Sequence, residues 1–143
     1  MKSTGLLITL EGIDGSGKST LAQYLVDALH KLGKNVLLTK EPGGTALGKE
    51  LRAILQTQKS PVCDKAEFLL YAADRAQHFK ELIVPALERG QIVISDRMAD
   101  SSLAYQGFGR GLDRTMITSI NRWAMQEIVP DLTIFLRLAP AQA

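Results

Sequence analysis

The nine residues Gly12-Ile13-Asp14-Gly15-Ser16-Gly17-Lys18-Ser19-Thr20 satisfy G-x-x-x-x-G-K-[ST] at every fixed position. The chemistry served by that spacing is anion binding. Gly12, Gly15 and Gly17 let the backbone turn where a Cβ would clash, so successive N–H groups point inward at phosphate oxygens. Lys18 brings a positive charge to β- and γ-phosphates, and the Ser19 hydroxyl can ligate Mg²⁺. A helix starting there adds its positive N-terminal dipole. Residues 12–20, Ile13, Ser16 and Thr20 included, are therefore expected to cradle a nucleoside triphosphate.

Other charged residues fall at telling places. Asp96-Arg97 directly follows the apolar run Ile92-Val93-Ile94-Ser95. A strand-end acid beside a phosphate loop suits Mg²⁺, and an adjoining guanidinium suits bidentate phosphate binding; a plain ion pair is the alternative. Phe68, Tyr71, Ala72, Arg75 and Phe79 share one helical face, where Arg75 must find an anion or snorkel to water. A second substrate's phosphate would meet that need, and Tyr71 could stack on a base; a core tyrosine beside a snorkelling arginine fits the pattern equally. Asp74, Gln77 and His78 read as solvated helix residues, and Arg52 reads as a surface arginine on an amphipathic helix. Ser101 to Gln106 is rich in small donors suited to a sugar or base, or to helix capping. Trp123 reads as core or as an oligomer face.

These residues need a scaffold. Strand-like runs at Leu6–Leu10, Asn35–Thr39, Ile92–Ser95 and Leu132–Leu138 alternate with helical patterns at 18–32, 45–56, 65–89 and 113–129. Strands apolar on both faces, alternating with helices, predict a parallel sheet covered on each side. Ligands of such sheets gather beyond the strands' carboxyl ends. Three of those ends deliver the phosphate loop, Lys40-Glu41-Pro42-Gly43-Gly44 and Asp96-Arg97; the fourth delivers the bland 139–143. Pro85 is expected to kink or divide the third helix, and Pro42–Gly44 and Gly107–Gly111 are expected to be irregular loops.

Composition sets bounds. A chain of 143 residues is one domain's worth, and a net charge of +2 argues for neither nucleic acid nor an anionic membrane as partner. One cysteine excludes an intramolecular disulfide, so Cys63 is expected to be a packed or loop side chain. The apolar run at 5–10 is too short for a signal-peptide core or a membrane span, and a cytoplasmic location is expected.

Taken in order, GIDGSGKST, EPGG after the second strand, YAADRAQH, DR, SSLAYQG, GRG and PDLT resemble the bacterial-type thymidylate kinase family, nucleoside monophosphate kinases that phosphorylate dTMP with ATP. The resemblance runs from Leu6 to Leu138. It implies an α/β P-loop kinase fold, a three-layer sandwich of parallel sheet and helices. It also implies ATP and Mg²⁺ as cofactors, with Ser19 and Asp96 at the metal, dTMP as small-molecule substrate, and a homodimer. Asp14 then engages the sugar 3′-OH, and Glu41 lies near the acceptor and its Mg²⁺ or water network. Arg52, Arg75 and Arg97 become phosphate-side arginines. Tyr71 stacks on thymine, Ser102 and Gln106 lie beside the base, and Tyr105 crowds C2′ against ribose. Asp14, Lys18 and Arg97 form the catalytic set.

Two positions depart from the family pattern. Lys40 stands where arginine is usual, and Arg137 stands where an acid is common, so that strand end is given no ligand role. Gly15 is not basic, as in the subtype that draws its catalytic arginine from a lid. The resemblance implies that 1–143 is the N-terminal two-thirds of one P-loop kinase domain, short of the lid and later helices. A deoxynucleoside kinase and a catalytically silent nucleotide-binding module are the rival expectations.

Overall fold

The computed structural model describes residues 4–57 and 59–139; residues 140–143 of the bland tail lie outside them. β1 (Leu6–Glu11), β2 (Val36–Lys40), β3 (Ile92–Asp96) and β4 (Leu132–Phe135) form a parallel sheet in the order β2-β3-β1-β4. β4 is shorter than the apolar run that marks it, which reaches Leu138.

Alternation along the strands divides the core between two faces. Leu7 and Val93 point to one face, where Phe79, Ile83, Ala86, Leu87, Met98 and Met125 cover them. Leu10 and Ile94 point to the other, packed by Ala22 and Val26 of α1 (Lys18–Lys31). Helices therefore cover both faces, as the double-sided apolar runs require. Each fully buried large side chain contributes about 1.5–3 kcal/mol. α1 stops at Leu32, and Gly33 at φ +74° takes the left-handed turn that releases the chain toward β2.

α2 (Ala46–Thr57) precedes α3 (Asp64–His78), which runs through one π turn (Phe79–Ile83) into α4 (Val84–Glu88). Pro85 neither divides nor ends this run. It lacks an N–H, and its ring crowds the carbonyl four residues back; the widened turn before it relieves both problems. Cys63 precedes α3 at its N-cap and is exposed, a loop side chain.

The segment after β3 departs more from expectation. α5 (Ala99–Ser102) continues into a π-helical stretch, Leu103–Gly109, so Gly107 to Gly109 is helical rather than loop. A Cβ on Gly107 would meet Arg114 Cγ at 3.2 Å, so this glycine allows close packing on α6 (Arg114–Ala124). Asp113 caps α6 by accepting from the Thr115 and Met116 N–H groups at 2.9 and 3.3 Å. The helix ends at Ala124, five residues before the pattern does, because Gln126 and Glu127 adopt positive φ. Trp123 is 79% exposed on α6, so it is not core.

Candidate active site

The phosphate loop bridges β1 and α1. Gly12 cannot be replaced without conflict, since a Cβ would lie 2.9 Å from both the Leu136 carbonyl oxygen and Ser16 Oγ. Gly15 and Gly17 adopt φ +79° and +97°, turning the backbone into the N-terminus of α1. Lys18 Nζ donates to the carbonyls of Gly12 and Ile13 at 2.9 Å each, which aims a buried ammonium across the loop. Asp14, Gly15, Gly17, Lys18, Ser19 and Thr20 line a cavity of about 580 Å³, with Lys40, Asp96 and Arg97 opposite.

Ser19 Oγ lies 3.5 Å from Asp96 Oδ2, and Asp96 Oδ1 is buried with no hydrogen-bond partner among the described residues. One hydroxyl and one under-satisfied carboxylate beside a phosphate cradle fit Mg²⁺, which takes few protein ligands and keeps water and phosphate oxygens. The residues thus fit the ion. No cluster of three or more acidic, histidine or cysteine side chains that could hold a metal occurs among the described residues.

Arg97 sits in a left-handed conformation, φ 68°, held from three sides. Its N–H donates to the Leu10 carbonyl at 2.9 Å, its own carbonyl accepts from Ser95 Oγ at 2.8 Å, and the next residue is clamped by Glu11. Glu11 was invisible as a site residue in the sequence. It is 5% exposed and accepts from the Met98 N–H at 2.8 Å and Ser101 Oγ at 2.7 Å. Burial pushes its carboxyl above the usual range despite those bonds. The Arg97 guanidinium then reaches Asp14 and, at 3.2 Å, the Tyr105 hydroxyl, with its carbon 5.4 Å from the Tyr105 ring centre. Arg97 and Asp14 are thus an ion pair, but one that spans the mouth between two cavities.

The second cavity, about 490 Å³, is lined by Tyr71, Arg75, Ser102, Tyr105 and Gln106, with Asp14, Glu41, Arg52 and Arg97 at its junction with the first. Arg52 is more than a surface arginine: it lines both cavities and donates to the Pro42 carbonyl at 2.8 Å. Burial raises the Tyr71 hydroxyl's pKa.

Arg75 does not snorkel. It is 1% exposed, with Nε on Glu41 Oε2 at 3.0 Å and Nη1 on Ser102 Oγ and Asn121 Oδ1 at 3.1 and 2.6 Å. The protein supplies the anion that its helical face demands. Arg75 lines the second cavity but not the loop cavity, whereas Arg52 and Arg97 line both.

Asp74 and His78 are not solvated either, at 1% and 0% exposure. Both turn toward the loop after β2. Asp74 Oδ1 accepts from the Gly43 N–H at 3.0 Å, and His78 Nε2 shares a 2.6 Å bond with Thr39 Oγ1 while Nδ1 lies 3.4 Å from Glu41 Oε1. Burial raises the Asp74 pKa. A Cβ on Gly44 would come within 2.7 Å of His78 Nε2, so the glycine admits the imidazole. The signal that could have revealed these residues is polar side chains at positions 74, 75 and 78, spaced one and four apart, directly after the apolar run Phe68–Ala73.

A parallel sheet whose first strand feeds a glycine loop into a helix, with an acid-arginine pair at the neighbouring strand end, defines a P-loop kinase fold. The family model for thymidylate kinase matches residues 10–143. A thymidylate kinase of Halothermothrix orenii is 56% identical over 134 residues, which is 94% of this chain and 65% of that protein. One of Solidesulfovibrio magneticus is 52% identical, over 95% of this chain and 66% of its own length. The crystal structure of thymidylate kinase from Ehrlichia chaffeensis superimposes with a TM-score of 0.89 at 38% identity, covering 96% of this chain and 78% of that one. The chain belongs to the thymidylate kinase family. It spans about two-thirds of the length of these curated relatives.

Proposed function

We propose that this chain carries the donor and acceptor sites for transfer of the γ-phosphate of ATP to dTMP, giving ADP and dTDP. One observation carries the reading: a phosphate-loop cavity and a second, side-chain-lined cavity meet at Asp14, Glu41, Arg52 and Arg97. Two phosphorylated ligands set in these cavities would present their reacting ends to each other at that junction.

The residues then divide the work. The loop amides of residues 12–20, with Lys18, hold the triphosphate, and Ser19 and Asp96 would hold Mg²⁺. Bound there, the ion would offset charge on the β- and γ-phosphates. Arg97 and Arg52 position the acceptor phosphate and shed its repulsion toward the donor. Asp14 orients Arg97 and, through its solvent-facing carboxylate, meets the sugar hydroxyl. Glu41 and Arg75 form the floor, where the remaining Arg75 donors suit a nucleobase carbonyl. Tyr71 offers a ring face for the base, Ser102 and Gln106 its polar edge, and Tyr105 the wall near C2′. Catalysis of this kind is positioning plus electrostatics, with no covalent step on the protein.

Residues 1–143 are assigned to one P-loop kinase domain of a cytoplasmic enzyme acting on free nucleotides, with neither nucleic acid nor membrane as partner. No helix among the described residues is long and apolar enough to cross a membrane. Trp123 and Met116, exposed on α6, are assigned to a homodimer face. Arg52 and Arg97 at the junction favour a monophosphate acceptor over an unphosphorylated deoxynucleoside. The test is ADP release and calorimetric binding across nucleoside monophosphates and thymidine. Preference for dTMP is expected; preference for thymidine would overturn the reading.

A further inference from the structure

Gln106 is 3% exposed and lines the second cavity, yet only one end of its amide is engaged. Its Nε2 donates to Glu67 Oε1 at 3.0 Å. A carboxylate offers acceptors alone, so the amide must turn its NH₂ toward Glu67 and its oxygen away. Gln106 Oε1 has no partner among the described residues. Glu67 is held in turn, because its other oxygen lies 3.5 Å from Arg110 Nη2 and its backbone sits in the first turn of α3.

We propose that Glu67 is a specificity-positioning residue: by locking the Gln106 amide in one orientation, it makes that part of the cavity wall a hydrogen-bond acceptor. The inference rests on reading the cavity as a nucleobase site. A pyrimidine with a 4-oxo group carries a hydrogen on ring N3 and can donate to Oε1. A 4-amino pyrimidine has a bare N3 lone pair, which would face the lone pairs of Oε1 with no hydrogen between them. An unlocked amide could rotate its NH₂ inward and accept the second kind; a locked one cannot. Discrimination by a buried polar group left unpaired is far stronger than discrimination by shape. Glu67 lines the same cavity, but in this scheme it acts through Gln106, which is why the Gln106→Ala background is part of the test.

The test compares dTMP with 5-methyl-dCMP, which differ only at N3 and the 4-substituent, by calorimetry on this chain and on three variants. Glu67→Gln keeps the size of the side chain but can donate as well as accept, which frees the Gln106 amide. It is expected to lower the dTMP preference by about tenfold, a single hydrogen bond's worth, with its melting temperature held near that of the wild type. In the Gln106→Ala background the Glu67→Gln change is expected to leave the preference unaltered. An unchanged preference in Glu67→Gln overturns the proposal, and so does an equal loss in both backgrounds. A wild type that binds neither nucleotide, or binds both alike, would instead defeat the nucleobase reading and this inference with it.

Discussion

One stretch of chain, Asp14 to Thr20, supplies most of the loop cavity, and its binding groups are backbone amides and a helix terminus. The second cavity takes Glu41 from the end of β2, Tyr71 and Arg75 from α3, and Ser102, Tyr105 and Gln106 from the helical run after β3. Its binding groups are side chains, and three of them are held by side chains distant in sequence: Arg75 by Glu41 and Asn121, Gln106 by Glu67, Arg97 by Asp14. A site made largely of main chain needs the right glycines and a few side chains close by in sequence, here Lys18 and Ser19. One made of side chains needs a buried polar frame, and that frame is where specificity can be written and where stability is exposed to damage.

The sharpest way to break the comparison is to remove a frame member. Arg75→Met leaves the Glu41 carboxylate buried without its guanidinium, and it should cost roughly 3–5 kcal/mol of folding stability, as unpaired buried charges do. Urea unfolding would measure this. A loss below about 1 kcal/mol, the worth of an exposed pair, would mean the network is not a structural frame.

Lys18→Ala strikes the other cavity and should act on function instead. Phosphoryl transfer should fall roughly 10²–10³-fold, the usual cost of deleting one preorganised charge-stabilising donor, while circular dichroism stays that of the wild type. Nucleotide-triphosphate binding should weaken and dTMP binding should not. Equal weakening of both would mean the two cavities are not separable.

Tyr105→Phe is milder. It deletes the hydroxyl that accepts from Arg97 but keeps the ring, so dTMP affinity should drop by about 1 kcal/mol. The proposed preference for dUMP over UMP should survive, because that reading places the ring and not the hydroxyl against C2′. Loss of that preference in Tyr105→Phe, read from competitive binding, would reassign the exclusion of ribose to the hydroxyl.

The finest effect is a pH dependence at Glu11, which holds the chain just after Arg97. Burial raises its native carboxyl above the ordinary 4.5, so the folded chain holds this proton after the unfolded chain has released it. Stability therefore falls as pH rises from 4.5 through the raised native value, and it levels off beyond. Glu11→Gln lacks that loss. The stability gap between variant and wild type should widen in favour of the variant across the window and then stay constant; a flat gap would mean that Glu11 is not destabilised as a buried anion.

The difference between the cavities also decides what could be read before folding. The phosphate loop, the parallel sheet, and the placing of Asp96 and Arg97 at a strand end were all legible, because each depends on neighbours a few residues away. Arg75 was half legible: its position on an apolar face announced the need for an anion, but Glu41, 34 residues earlier, answers it. Asp74 and His78 looked solvated because nothing local said that the loop after β2 would cover them. Helix 99–109 was missed because Gly107 and Gly109 mark a loop by propensity, whereas here Gly107 lets two helices approach closely. Glu11 is paired across 87 residues with the Met98 N–H, and Gln106 across 39 with Glu67. Residue order alone determined the glycine loop and its place between β1 and α1, since backbone geometry and helix dipoles are local properties of the chain. Only the tertiary structure decided which polar side chains are buried, which partner each one has and which way an amide points, because those depend on distances that exist only once the sheet has brought its strand ends together.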